Sequence, residues 1–320
     1  MPTCSPFSRA DGAPACAAGK QVTIEVIVNA GSGAGHRADV RQRLADAFRA
    51  AGVDARIALA GTGAELAGLA RRAAHGRAER VVAAGGDGTI SAVAAAIIGS
   101  DKVLGVLPFG TMNHFAKDLN IPLDLDGAVG TIVAGHAVRV DAGDVNGLIF
   151  VNNSSLGLYP RIIRERDRQQ RLGWGKWPAY IWAALAVLRR YPFLEMRLSA
   201  DGTTLSGPTP FLFVGNNEYR MERLDVGSRA CLGRGELSVY TARGTGRLGL
   251  LRLAFGALFG GLRQERDFLS FTTTDMWIGT RRRRVRVALD GEVVVMQPPL
   301  HYRARPGALR VLTPADDDAR

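Results

Sequence analysis

The chain has 320 residues, 47% apolar and 22% charged, with a formal net charge of +11 and a pI near 10.3. That length supports one large domain or two modest ones with real cores, and the composition is that of an ordinary globular protein, which excludes a fibrous or low-complexity chain. The basic excess favours anionic partners: nucleic acid, phosphorylated ligands or an anionic membrane surface. It is almost all arginine, since the lysines are only Lys20, Lys102, Lys117 and Lys176, and a genome-wide habit of alanine, glycine and arginine accounts for it equally well. Cys4, Cys16 and Cys231 have neither disulfide-framework nor zinc-site spacing, so an intracellular, cytoplasmic protein is expected. No apolar run reaches the roughly 18 residues of a membrane span, so any membrane contact is expected to be peripheral.

Residues 1–20 mix Pro, Gly, Ser and Ala and read as a disordered tail, not a signal peptide. Residues 22–28 are rich in β-formers. Helical spacing follows over 40–51, with Leu44, Ala47 and Phe48 on one face. Strands at 53–59, 80–84 and 103–107 then alternate with helices at 64–74 and 90–98. Such alternation predicts an α/β domain over residues 21–145, with a parallel, Rossmann-like sheet and ligands at the carboxyl ends of its strands. Past about residue 145 turns replace helices between strands. Segments 148–154, 194–200, 210–215, 236–241, 268–274, 284–289 and 309–312 predict an antiparallel β-sandwich over 146–320, with the last residues free to return to the first domain. Helical patterns interrupt it at 178–190 and 247–261. The first gathers Trp174, Trp177, Tyr180 and Trp182 ahead of Arg189 and Arg190, which suits either core packing or an anionic membrane interface.

Three glycine-bearing turns fall at predicted strand ends: residues 29–33, 85–89 and 108–111. Gly85-Gly86-Asp87-Gly88-Thr89 lets backbone N–H groups approach phosphate, and a helix N-terminus follows. It lacks the lysine of a Walker loop and the spacing of the dinucleotide fingerprint. A carboxylate among phosphate-binding amides makes sense where magnesium intervenes, because that ion takes carboxylate oxygens together with substrate phosphates. His36, His75, His114, His136 and His301 are scattered, none at ligand spacing. The basic run at 281–284 comes with no nucleic-acid motif, so no nucleic-acid partner is expected.

Gly85 to Thr89, followed by Pro108-Phe109-Gly110-Thr111-Met112-Asn113-His114-Phe115-Ala116, resembles the signature of the diacylglycerol kinase and sphingosine kinase catalytic-domain superfamily. Asn29 with Gly31-Ser32-Gly33 resembles its first nucleotide-contacting turn, and Leu289-Asp290-Gly291-Glu292 its C-terminal motif. The likeness is nearest to the bacterial soluble lipid kinases. It implies ATP and magnesium as cofactors, the two-domain plan shared with NAD kinase, a lipid substrate and transfer of the γ-phosphoryl group to its hydroxyl, a diacylglycerol-like acceptor above others. It places nucleotide contacts at Asn29, Ser32, Gly86, Asp87, Gly88, Thr89, Thr111 and Asn113, with Thr62 as a loose substitute for a family threonine. The catalytic acids become Glu292 first, Asp290 as its competitor, and Asp87. The strand period puts Asp290 and Glu292 on one side of the chain, while Asp-Gly is equally a turn signal.

Three departures stand out. Ala30 and His114 replace a family proline and aspartate. Arg234 occupies the place where the family often has the aspartate of a structural magnesium site, so that site is either absent or replaced by the charge of Arg234; Glu222 and Asp225 lie nearby. NAD kinase is the first alternative, with Asn217-Glu218 echoing its adenosine motif. A non-catalytic, membrane-associated lipid or nucleotide binder is the second. The reading also leaves room for a homodimer.

Overall fold

The computed structural model describes residues 22–31, 37–157, 194–222, 225–229, 231–242 and 268–315. The tail at 1–20, Ser32, and the helical patterns at 178–190 and 247–261 with their aromatic cluster lie outside the described residues. The chain divides into two units. The first comprises Met1–Ala142, Cys231–Arg234 and Pro306–Arg320; the second comprises Gly143–Ala230 and Gly235–Arg305.

The first unit alternates as the periodicity requires: β1 (Ile24–Asn29), α1 (Arg37–Ala50), β2 (Ala55–Ala60), α2 (Gly63–Ala74), β3 (Arg80–Gly85), α3 (Asp87–Ile97), β4 (Val103–Pro108), α4 (His114–Asp118), α5 (Leu125–Ala134), with β5 (His136–Val145) leading out of it. Strands run in the order β2-β1-β3-β4, all parallel. Val81 to Ala84 are fully buried, as a central parallel strand covered on both faces must be. Helix α2 starts where Thr62 accepts the Glu65 N–H at 3.2 Å and the Glu65 carboxylate takes the Gly61 N–H at 2.7 Å. That reciprocal cap stabilises a helix start by about 1 kcal/mol. Helix α3 begins at Asp87 and not at Ile90, because Gly86 is the extended residue before it; the last three motif residues therefore form its first turn. Among the described residues, no helix is long and apolar enough to cross a membrane.

The second unit contains β6 (Leu148–Phe150), β7 (Asn153–Gly157), β8 (Leu194–Ala200), β9 (Thr203–Thr209), β10 (Phe211–Asn216), β11 (Tyr219–Glu222), β12 (Asp225–Arg229), β13 (Leu237–Ala242), β14 (Phe268–Thr273), β15 (Asp275–Thr280), β16 (Val285–Leu289) and β17 (Glu292–Met296). The last strand, β18 (Leu300–Thr313), serves both units: its start pairs antiparallel with β15, and Val311 pairs parallel with Leu104 of β4 in the first unit. One antiparallel sheet has the order β14-β13-β10-β7-β16-β17; β15, β8 and β9 continue from β18 in the other. Leu156, Leu212, Val214, Val239, Val287, Met276, Ile278 and Tyr302 close a core between alternating inner faces, as in a sandwich. Tyr302 keeps its hydroxyl satisfied on Ser154 at 2.8 Å, and burial pushes its phenol pKa up. Cys231 is disulfide-bonded, which the scattered cysteine spacing does not announce.

Candidate active site

In the first sheet the chain leaves β1 toward β2 on one side, and β3 lies on the other. Turns after β1 and β3 thus diverge at a switch point, where open α/β sheets leave a crevice for ligands. Asn29 closes β1 there. Its Nδ2 donates to Thr89 Oγ1 at 3.1 Å, and its Oδ1 accepts the Gly31 N–H at 3.1 Å. Thr89 is buried in the first turn of α3, so one asparagine joins the first and second glycine turns.

Gly86 caps α3 without a side chain, leaving the first N–H groups and the positive end of the helix to whatever occupies the turn. The β4–α4 turn packs directly on it. A Cβ on Gly110 would stand 2.6 Å from Gly86 Cα and 2.7 Å from Asn113 Oδ1, so only glycine fits there. Asn113 is buried in the left-handed region at φ 51°. Its Oδ1 accepts the Gly110 N–H at 3.0 Å, while its Nδ2 donates to the carbonyls of Gly110 at 2.9 Å and Pro108 at 3.2 Å. Asn113 precedes α4 but does not cap it through its side chain. Asp87 does so instead, its Oδ1 accepting the Phe115 N–H at 3.3 Å. Thr111 is exposed at the tip of this turn.

Asn29, Gly86, Asp87, Gly88, Thr89, Thr111 and Asn113 are therefore gathered in three adjoining turns of one unit. Thr62 is the N-cap of α2, and its hydroxyl is already engaged by the Glu65 N–H. Gly31 lies against the Gly61 carbonyl, where a Cβ would come within 2.9 Å.

Asp290 and Glu292 belong to the second unit, and they do not share a side of one strand. Leu289 pairs with Glu292 across the β16–β17 hairpin, and Asp290-Gly291 forms its two-residue turn, with φ 46° and 91°. Positive φ at both positions is the type I′ pattern, and Asp-Gly is among its preferred pairs. The Asp290 carboxylate is committed to backbone: Oδ2 accepts from Val151 N at 2.8 Å, and Oδ1 from Asn152 N at 2.8 Å and Asn153 N at 2.9 Å. Those three amides are the break between β6 and β7, which is why the expected single strand over 148–154 is two. Glu292 is exposed at the first position of β17.

Arg234 is exposed at the end of a first-unit segment. Glu222 and Asp225 are backbone register partners across the β11–β12 pair. Arg229 is a buried cation that sequence reasoning missed. Its partners lie 13 to 78 residues away, and no local spacing could mark it. Asn217 is fully buried; its N–H donates to the Glu236 carbonyl at 2.9 Å, and its own carbonyl accepts from Ser238 Oγ at 2.5 Å.

Comparison with known proteins places this geometry. Residues 23–145 match the family model of the diacylglycerol kinase catalytic domain. Residues 161–313 match that of the YegS C-terminal NAD kinase beta sandwich-like domain. Proteins named diacylglycerol kinase from Staphylococcus aureus strains JH9 and Newman are each 32% identical over 148 residues, 46% of this chain and 47% of theirs. The chain thus spans about half the length of these curated relatives. Crystal structures of a candidate diacylglycerol kinase and of a diacylglycerol kinase, both from Bacillus anthracis str. Sterne, share the fold. The first has a TM-score of 0.71 at 21% identity, covering 93% of this chain and 97% of that one. The second has a TM-score of 0.64 at 17% identity, covering 92% and 97%. The chain thus carries a diacylglycerol kinase catalytic domain over residues 23–145, followed over residues 161–313 by a domain of the YegS C-terminal, NAD kinase beta sandwich-like kind.

Proposed function

We propose that this protein is an ATP-dependent lipid kinase that transfers a γ-phosphoryl group to the hydroxyl of a diacylglycerol-like lipid. One observation carries the reading: Asn29, Asp87, Thr89 and Asn113 spend their side chains holding three glycine turns together at the switch point of a parallel sheet. Polar side chains that build turns and expose main-chain amides suit a ligand recognised by its phosphates.

Phosphoryl transfer asks for positioning and charge neutralisation. The amides at the start of α3 would hold a polyphosphate, and Asp87 is the carboxylate that would take a share of magnesium. Among the described residues no three metal-ligating side chains cluster. One carboxylate with phosphate oxygens and water is the arrangement magnesium commonly adopts, so these residues fit it. Magnesium ATP supplies the transferable phosphoryl group and neutralises its charge. Glu292 is assigned the proton of the acceptor hydroxyl, because the Asp290 carboxylate is occupied by three backbone donors and Glu292 is exposed. Lipid access calls for peripheral contact with an anionic membrane, for which the +11 charge is the motive.

The test is incubation of the purified chain with γ-labelled ATP and magnesium, with a total lipid extract in one arm and NAD in another. Label in the organic phase, migrating as a phosphorylated glycerolipid, is expected. Label in the dinucleotide instead would assign the protein to NAD phosphorylation, and label in neither would leave a non-catalytic binder.

A further inference from the structure

The chain between β6 and β7 is held from both sides by opposite charges. Two peptide units make this crossing. The unit joining Val151 to Asn152 gives its N–H to Asp290 Oδ1 at 2.8 Å, and its carbonyl accepts from Arg229 Nη1 at 2.7 Å and Asn216 Nδ2 at 2.9 Å. The unit joining Asn152 to Asn153 gives its N–H to the same Asp290 oxygen at 2.9 Å, and its carbonyl accepts from the Tyr219 hydroxyl at 2.9 Å and the Asn216 N–H at 2.9 Å. Both peptide dipoles thus point their positive ends at one carboxylate, while the Val151 carbonyl meets the guanidinium and the Asn152 carbonyl meets the neutral donors of Tyr219 and Asn216.

Arg229 is 6% exposed, and a buried charge is tolerated only when its hydrogen-bonding capacity is met. Beyond Val151 its nitrogens reach the Asn216 carbonyl at 3.3 Å and Asn152 Oδ1 at 2.8 Å, and its Cζ lies 5.5 Å from the Tyr219 ring centre. Two main-chain carbonyls and a side-chain amide oxygen are the ligand types that a hard divalent cation collects. Here one planar, permanently charged group collects them with directed N–H bonds.

We infer that Arg229 is the ordering cation of this unit: its guanidinium fixes the Val151–Asn153 crossing and thereby seats Asp290 and the β16–β17 turn, so that the turn keeps its geometry without a structural metal ion. By the resemblance, Arg234 stands where the family often has a metal-site aspartate, and a guanidinium has no lone pair to offer a cation, so the residue present does not fit a metal there. Arg229 is a positioning residue. It acts on the motif through the peptide units that Asp290 grips.

The test uses the full chain, with readouts independent of turnover. Wild-type protein should contain no stoichiometric metal by elemental analysis, and its melting temperature should be the same in EDTA as in excess magnesium. Arg229→Ala should raise hydrogen exchange at the amides of Val151, Asn152 and Asn153 about 10–100-fold, the scale of losing hydrogen bonds to a charged group. Millimolar guanidinium, well below denaturing concentration, should restore much of the protection. Arg229→Lys, which keeps the charge but not the planar fork, should fall between and remain informative if the alanine variant does not fold. One bound metal per chain whose removal lowers the wild-type melting temperature would overturn the inference. So would amide protection unchanged in both variants.

Discussion

Asp87 has one task in the fold and a second in the proposed reaction, and the two separate under substitution. Its Oδ1 caps α4 through the Phe115 N–H, a bond that an amide oxygen can also accept. Its charge is required only if magnesium and phosphate arrive. Asp87→Asn should therefore melt within about 1 kcal/mol of wild type while phosphoryl transfer is abolished; wild-type turnover in that variant would remove Asp87 from the chemistry. The C-terminal motif separates in the opposite sense. Asp290 uses both oxygens on three amides, so Asp290→Asn, with one acceptor oxygen left, should lose roughly 1–3 kcal/mol of stability in denaturant titration. Glu292→Gln should melt like wild type and lower kcat about 10²–10⁴-fold with ATP affinity by calorimetry unchanged, the signature of a lost general base. Normal turnover in Glu292→Gln with a dead but stable Asp290→Asn would reverse the assignment.

Elements were legible where periodicity is strong and illegible where a distant residue decides. Strands β1 to β4 and helices α1 to α3 follow from hydrophobic spacing, with ends shifted by a few residues; α3 starts three residues early because Gly86 is extended. Short α4 was not foreseen, since five residues carry too little periodic signal and its start depends on Asp87, 28 residues back from Phe115. The break between β6 and β7 was hidden for the same reason: Asp290 imposes it from 137 to 139 residues away. Likewise the end of β5 is fixed by β18. Asp144 there is 1% exposed, and Arg305 reaches its Oδ2 at 2.6 Å. Burial alone would raise its carboxyl, but bonds from Arg305 and the Gly147 N–H, with Arg303 alongside, outweigh it and hold the pKa below the usual carboxylate range. A lowered native pKa gives stability that is present above about pH 4 and is lost as pH falls through the native value. Asp144→Asn should therefore cost about 2 kcal/mol at pH 7, and the gap from wild type should narrow steadily in melts taken below pH 4. A gap independent of pH would show that the ion pairs contribute nothing.

At the scale of the whole molecule, the family was readable because four motifs occur in order along the chain, and their roles were less so because a motif does not say which of its residues build the turn. Asn113 and Asp290 turn out to use their polar atoms on main chain, and Asn29 uses its own on the Gly31 N–H and the Thr89 hydroxyl, which spacing alone could not distinguish from ligand contact. The +11 charge gives a separate prediction. Exposed charges are screened over about 10 Å at 0.1 M salt, so the protein should sediment with anionic vesicles at low salt and release as salt rises. Equal sedimentation with neutral vesicles would make the excess arginine compositional. The central claim is phosphoryl transfer to a lipid hydroxyl at the glycine turns, and the direct measurement is transfer of label from γ-labelled ATP to diacylglycerol in mixed vesicles by wild type and Asp87→Asn side by side. The account predicts a labelled, phosphorylated glycerolipid from the wild type and none from the folded variant; equal labelling by both, or none by the wild type across a magnesium series, would contradict it.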